Sequence, residues 1–314
     1  MTTFSPREIF SNKTRHTSRH IVRTFLDYVD GKVYDSHGDA KTMQSLVLER
    51  GFGAAIQCCV TLEEYPLALE CFSVMAHVRA TFVGRTDSSN SLDDTWNEAT
   101  PIVDDLLPMD ENICVNVMKA CMALTKFSTL KDVYRGMIAR RVARSAGFGL
   151  AIRYCHKHLD ARFLEEVLDG VFATEQAFGG QWMLEVANYN DALGCFATTR
   201  RSRQAREVFA HMLQNPLIVP DHITMLEMVE NHRDACIEDL FDLLDMFLAR
   251  KLVPNVQVLT SLLSICMRRR VVGDALALID AMKQQHVVLD VKVYTTIAFM
   301  HASQGDLLAV VQVV

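Results

Sequence analysis

Three groups of arginines are the residues best suited to bind a charged ligand, because the planar guanidinium group pairs with phosphate through two parallel hydrogen bonds. The groups are Arg140, Arg141 and Arg144; Arg200, Arg201 and Arg203; and Arg268, Arg269 and Arg270. The second and third groups fall where a predicted helix ends. Two interpretations are therefore open: the arginines offset the negative end of the helix dipole, or they contact phosphates along one rim of the molecule.

Other clusters suggest metal chemistry, but their context argues against it. Asp93, Asp94, Asp104 and Asp105 lie in a polar, acidic stretch that is predicted to be a surface loop, whereas metal ligands need rigid support. The nine cysteines form no C-x-x-C pair, and Cys155 and His156 fall within a predicted helix. We therefore expect no metal site, no cofactor and no catalytic centre.

The elements that position these residues are revealed by a repeated phrase. A small residue, an aromatic residue four positions later and a methionine three further occur at Ala68, Phe72 and Met75, and again at Ala205, Phe209 and Met212. Looser copies occur at Leu130, Tyr134 and Met137 and at Ala275, Ile279 and Met282. These spacings place each set on one face of a helix, and we expect that face, together with Cys195, to be buried.

The repeat period defines the organisation of the chain. One full unit of about 35 residues covers 256–290, and a second covers 186–221. Weaker or partial units cover 49–75, 112–144, 145–185, 222–255 and 291–314. A period in the thirties predicts stacked helical hairpins. We expect a basic helical segment at 1–48 and a helical repeat domain at 49–314, interrupted by an acidic insertion at about 76–111.

The best units resemble the pentatricopeptide repeat (PPR) family, which opens like V-T-Y-N-T-L-I, continues as A-x-x-x-F-x-x-M and closes as G-x-x-P-D. The chain carries Asn188, Tyr189 and Asn190, then the Ala205, Phe209 and Met212 phrase, then Pro220 and Asp221, in that register. The W-x-x-L-G-x-x-Y signature of tetratricopeptide repeats does not occur. The resemblance implies an all-α fold, a right-handed α-solenoid of stacked helix-turn-helix hairpins.

In PPR proteins the fifth and last residues of a repeat together read one RNA base. The resemblance then implies that Asn190 with Asp221 favours uracil and that Thr260 with Asp290 favours guanine. Asn116 and Thr295 occupy the same fifth position, whereas Leu226, Gly149 and Gly53 offer no side-chain hydrogen bond to a base. Arg200, Arg201, Arg203, Arg268, Arg269 and Arg270 are the phosphate candidates. Because few repeats carry such a pair of residues, long sequence-specific recognition is unexpected. The formal net charge of −6 also disfavours binding through phosphate neutralisation.

Two functions are consistent with this pattern. The resemblance implies a non-catalytic RNA-binding and structural component of a mitochondrial ribonucleoprotein, either the ribosome or an RNA-processing or editing assembly. Its partners would be mitochondrial rRNA or mRNA and neighbouring protein subunits, with no membrane insertion. The alternative is a protein-binding helical scaffold without direct RNA contact.

The two ends of the chain carry further expectations. Residues 1–23 contain five basic residues and one acid, a composition typical of a mitochondrial targeting segment and also of a basic helix. Together with the resemblance, it predicts the mitochondrial matrix. Residues 307–314 are almost wholly apolar, so we expect a partner subunit or further chain to cover them.

Overall fold

A computed structural model describes residues 18–27, 41–83, 110–269 and 291–303, together with isolated positions between 271 and 310. Among these residues there are helices and turns and no strand. The expected all-α class of stacked hairpins is confirmed. Asp290, Arg270, the four aspartates at 93–105 and most of 304–314 lie outside the described residues.

The helices are numbered here in chain order. The first hairpins comprise α1 (18–27), α2 (Lys41–Thr61), α3 (Tyr65–Val83), α4 (Glu111–Ala123), α5 (Phe127–Ala139), α6 (Ser145–His158) and α7 (Ala161–Ala177). They are followed by α8 (Val186–Thr199), α9 (Ser202–Gln214), α10 (His222–Asn231), α11 (Ile237–Ala249), α12 (Val256–Arg269) and α13 (Val291–Ser303).

The chain divides into two compact units. The first consists of Met1–Ala151 with Gly170–Gly179, and the second of Ile152–Asp169 with Gly180–Val314. In the first unit, α2 packs on α3 and on α4, and α4 packs on α5. In the second unit the first helices of successive hairpins pack side by side, α8 on α10, α10 on α12 and α12 on α13. This row of first helices carries the residues of functional interest.

The repeated phrase forms the core, as the sequence predicted. Ala205, Met212 and Cys195 are fully buried, and Phe209 is 6% exposed with its ring centroid 5.7 Å from that of Phe247. The matching sets in α3 and α5 are buried in the same way, as are Ala275 and Ile279. A hairpin cannot bury this stripe alone, so the stripe is what holds each hairpin to its neighbours.

Side chains cap several helix N-termini, and one of these caps joins two hairpins. The Asp221 carboxylate accepts from the Thr224 backbone N–H (2.8 Å), and the Asn255 side chain accepts from the Val258 N–H (3.0 Å). In the first unit the start of α6 is capped from the neighbouring hairpin. There Glu111 accepts from the backbone N–H groups of Arg144 (2.8 Å) and Gly147 (2.9 Å). Each cap satisfies donors that a helix leaves unpaired.

Two predicted boundaries differ from the structure. The division expected between residues 48 and 49 falls inside α2, which runs without a break from Lys41 to Thr61. The insertion expected at 76–111 begins later, because α3 continues to Val83, and Glu111 is already the first residue of α4. Both limits were predicted from a change in composition, because the repeat signal is weak in these regions. Composition locates the end of a helix less accurately than the spacing of its apolar residues does.

The cysteines support the expectation of core packing. All nine are free thiols; seven are buried, Cys58 is half-buried and Cys236 is exposed. Within the described part of the chain, no three metal-ligating side chains converge. Of the helices described, none has the length and apolarity needed to cross a bilayer.

Candidate nucleic-acid interface

The fifth and last residues of the best repeat are in contact. The Asn190 side-chain amide donates to Asp221 Oδ1 (3.1 Å), and its carbonyl oxygen accepts from the Thr224 hydroxyl (2.7 Å). The same Asp221 oxygen accepts from the Thr224 backbone N–H, so α8 and the start of α10 share one hydrogen-bonded cluster. The sequence placed Asn190 and Asp221 thirty-one residues apart, and packing of successive first helices brings them together.

The cluster restricts how Asn190 could meet a base. Its side chain is 7% exposed, and its carbonyl oxygen and one amide hydrogen are already engaged, which leaves the second amide hydrogen as a donor. Asp221 stays ionised: burial alone would raise the pKa of its carboxyl, but hydrogen bonds from Thr224 and Asn190 outweigh it and hold the pKa below its ordinary value. The pair therefore offers one donor beside a fixed anion.

A groove of about 610 Å³ lies between α10 and α12 and reaches the start of α13. Because a helix rises about 1.5 Å per residue, the stretch of α12 along it is about 18 Å long. Eight of its ten lining residues have polar or charged side chains; the lining consists of Leu226, Glu230, Arg233, Val256, Gln257, Thr260, Ser261, Ser264, Arg268 and Lys292. The predicted base reader Thr260 and the predicted phosphate ligand Arg268 both line this groove.

The hydroxyl groups of the groove present acceptors to a ligand. Thr260 donates to the Val256 carbonyl (2.7 Å), Ser264 donates to the Thr260 carbonyl (2.7 Å), and Ser261 donates to Glu230. Each hydroxyl has a single hydrogen, so its oxygen keeps only lone pairs for the groove. A base that meets Thr260 must therefore bring a donor, as the N–H groups of guanine do.

Two cations of the groove have no carboxylate partner within the described residues. Arg268 donates only to the Ser264 carbonyl (3.4 Å), and Lys292 is exposed near the start of α13. The third cation, Arg233, forms an ion pair with Glu230. The groove can thus neutralise phosphate near its two ends, through Lys292 and Arg268.

Carboxylates lie on the first helices upstream of the groove. His156 Nδ1 is 2.9 Å from Asp191 Oδ1, so α6 and α8 are linked by a polar contact. A Cβ atom at Gly194 would lie 3.1 Å from His156 Nε2 and 3.2 Å from Glu227 Oε2, which shows how closely these groups approach. Burial raises the pKa of the Glu227 carboxyl; His156 opposes this rise, and Glu230 and Asp191 add to it.

Two of the three arginines at and after the turn that follows α8 form ion pairs with carboxylates of the same chain. Arg201 forms an ion pair with Glu165, and Arg203 pairs with Glu207 (3.1 Å) on the exposed side of α9. Arg200 is exposed and ends α8 in the left-handed conformation, with φ 57°. Of this group, only Arg200 presents a guanidinium without a carboxylate partner in the described structure.

The remaining predicted site residues lie elsewhere. Asn116 is half-buried on α4, in the first unit, and neither Arg144 nor Ser145, the two residues that could be its partner, is an acid. The Arg144 guanidinium lies 4.2 Å from the centroid of the Phe178 ring. Thr295 is exposed on α13 and donates to the Val291 carbonyl. Arg269 donates to the backbone carbonyl of Arg233 (2.7 Å). Asp290 and Arg270 are outside the described residues.

Comparison with solved structures identifies the architecture. The chain is similar to the pentatricopeptide repeat protein PPR10 in complex with an 18-nt psaJ RNA element, with TM-score 0.52 and 17% identity over 64% of this chain and 28% of that one. It is also similar to the crystal structure of PPR10 from maize, with TM-score 0.50 and 19% identity over 84% of this chain and 33% of that one. The fold is PPR-like. No protein-family model and no curated protein sequence matches the chain.

These likenesses concern the arrangement of helices. The chain spans about a third or less of the length of the PPR10 chains. Sequence reasoning found the fifth-position residues of this PPR-like fold but missed Lys292, Arg233, Glu230 and Ser261. A signal for one of them was available: Glu230 lies four residues after Leu226, so helical spacing places it next to the fifth position.

Proposed function

We propose that this protein is a non-catalytic, PPR-type RNA-binding and structural component of a mitochondrial ribonucleoprotein. It would act in the mitochondrial matrix, in the ribosome or in an RNA-processing or editing assembly. Its partners would be mitochondrial rRNA or mRNA and neighbouring protein subunits. The alternative from the sequence, a scaffold that binds only proteins, is weighed below.

The contact between Asn190 and Asp221 carries this proposal. These two residue types, at these two positions of a PPR-like repeat, are the ones that the family resemblance assigns to base reading, and their side chains are 3.1 Å apart. PPR10, which shares the helical arrangement, has been solved with RNA bound. The groove between α10 and α12 adds hydroxyl acceptors and two cations, Arg268 and Lys292, that have no carboxylate partner among the described residues.

The experiment is a titration of fluorescently labelled single-stranded RNA with the full chain at low salt. The RNAs form a matched set that differs at one position in an otherwise constant sequence. We expect binding, with uracil preferred at one position. Asn190→Thr should move that preference towards guanine, and Gln214→Ala, at the exposed end of α9, should not. No binding to any RNA would reject the proposal.

The mitochondrial part of the proposal is supported by the basic, acid-poor composition of residues 1–23. It is tested by fusing the full chain to a fluorescent protein and measuring its overlap with a matrix marker. Replacing Arg7, Lys13 and Arg15 with Gln should abolish the overlap if the segment directs import. A fluorescent signal that stays outside mitochondria in the unaltered chain would reject this part alone.

A protein-binding scaffold is the second candidate, and one observation favours it. Asp191, Glu227 and Glu230 lie along the same row of first helices as the predicted base readers, so the positive charge does not form a continuous stripe. The tagged chain purified before and after ribonuclease treatment separates the two. RNA-dependent recovery of partner proteins supports the first function, and unchanged recovery supports the scaffold.

A further inference from the structure

We infer that Glu230 is a specificity-determining residue, because it withholds the charge of Arg233 from the RNA backbone and leaves phosphate binding to Arg268 and Lys292. The inference rests on the proposed RNA-binding function. It assigns a role to a residue that is neither at the fifth nor at the last position of its repeat.

The geometry around Glu230 occupies both of its carboxylate oxygens. Oε1 accepts from the Ser261 hydroxyl on α12, and Oε2 accepts from the guanidinium of Arg233, in the turn that follows α10. The Glu230 side chain is 26% exposed and that of Arg233 is 41% exposed, so the pair is only partly open to screening by salt. Glu230 therefore connects two hairpins and neutralises a groove cation at once.

Arg233 is held in place from a second side. Its backbone carbonyl accepts from the Arg269 guanidinium (2.7 Å), and its Nε is a buried donor for which the described residues provide no acceptor. Arg233 thus lines the groove with its charge already matched by Glu230. A phosphate would have to displace a carboxylate that Ser261 also holds.

As a consequence, contacts with bases contribute more to RNA binding in this groove, relative to contacts with phosphates, than they would if Arg233 were unpaired. Each phosphate contact strengthens binding without regard to sequence. With Arg233 neutralised, the groove keeps two unpaired cations and a row of hydroxyl acceptors at Thr260, Ser261 and Ser264. Discrimination between bases at this hairpin then depends on how well a base matches those acceptors.

Glu230→Gln tests this arrangement, because glutamine keeps the size and an acceptor for Ser261 but loses the charge. If Arg233 gains one phosphate contact, the plot of log affinity against log salt should steepen by about 0.7 for single-stranded RNA. The ratio of the Glu230→Gln affinity to the wild-type affinity should therefore be about fivefold larger at 0.1 M salt than at 1 M salt. The preference for one base at the Thr260 position should fall.

Two further variants separate release of Arg233 from a general loss of negative charge. Glu227→Gln removes a carboxylate one turn earlier on α10 that has no arginine partner among the described residues, and it should leave the salt slope unchanged. The double variant Glu230→Gln with Arg233→Gln should return the slope to the wild-type value. An equal steepening in Glu227→Gln, or a steep slope that persists in the double variant, would overturn the inference.

A measurement on the wild-type chain does not depend on how the variants fold. The side-chain ¹⁵Nε signals of the arginines can be followed by NMR as RNA is added, with assignments from Arg233→Lys and Arg268→Lys. We expect the Arg268 signal to move and the Arg233 signal to stay. Equal shifts of both signals would overturn the inference while leaving RNA binding intact, and absence of any RNA binding would reject the proposed function itself.

Discussion

Replacing Asp221 with Ala tests the junction between two repeats, where folding and the proposed RNA recognition would use the same side chain. In the structure Asp221 Oδ1 accepts from the backbone N–H of Thr224 (2.8 Å) and from the Asn190 amide (3.1 Å). Alanine removes both interactions. We therefore expect a loss of stability as well as a loss of base preference.

The magnitude follows from the two lost contacts. Loss of an N-cap carboxylate costs about 1 kcal/mol, with a range of about 0.5–2. Asn190 is 7% exposed, and a buried amide left without its acceptor costs about 1–3 kcal/mol. The expected loss is thus about 2–4 kcal/mol in the free energy of unfolding, measured by urea denaturation. Asp221→Asn is the matched control, because Asn is nearly as good a cap.

The same carboxylate makes the difference dependent on pH. The folded-state pKa of Asp221 lies below its ordinary value of 3.8, so its ionised form stabilises the fold above that pH. This contribution is lost as the pH falls through the lowered pKa. The stability gap between wild type and Asp221→Asn should therefore close on acidification below about pH 4. A free energy of unfolding of Asp221→Ala that equals that of the wild type to within about 0.5 kcal/mol, the resolution of such differences, would refute the contacts assigned to Asp221.

Three further predictions concern packing, burial and phosphate contact. Phe209→Ala should lower the free energy of unfolding by about 3–5 kcal/mol, because a buried ring is lost from the core; Ala210→Ser, on the exposed side of α9, should change it little in the same urea titration. Glu227→Gln should raise the melting temperature at pH 7, since burial penalises the ionised form; the gain should vanish below its ordinary pKa of 4.5, where the acid is neutral in both states. Arg268→Ala should weaken binding to all RNAs alike and flatten the salt slope by about 0.7, whereas Arg203→Ala, which removes a paired arginine, should not.

Each of these has a contrary outcome. Unchanged unfolding of Phe209→Ala would mean that the repeat register is displaced. A melting temperature that falls at pH 7 in Glu227→Gln would mean that the carboxylate makes a stabilising contact with His156 that exceeds the effect of burial. Binding that weakens for one RNA sequence only in Arg268→Ala would identify a base contact instead of a phosphate contact.

Much of the fold could be predicted because the relevant signals are local. The Ala205, Phe209 and Met212 spacing repeats the helical period, and a residue's burial follows from its place in that period. The proline and acid at Pro220 and Asp221 end one repeat and begin the next for reasons contained in a few residues. Where the repeats are degenerate, as around α2 and α3, the local signal weakens, and α3 runs eight residues past its predicted limit at residue 75, to Val83.

The candidate site was only partly predictable. Asn190 and Asp221 were found because their repeat positions are known from the family resemblance. The pairing of Arg201 with Glu165 could not be found, because 36 residues separate them and no helical period relates one to the other. From the sequence alone, the arginines at the turn after α8 were equivalent candidates for phosphate binding.

The sequence by itself determined that the chain is helical, that it repeats with a period in the thirties, and which face of each helix is buried, since these depend on spacing within one or two turns. The tertiary structure decided which charges are available to a ligand. Glu230 meets Ser261 across 31 residues and pairs with Arg233, so one groove cation is neutralised, whereas no described carboxylate pairs with Arg268 or Lys292. Charges act through space, so their pairing is set by how hairpins stack and not by their order along the chain.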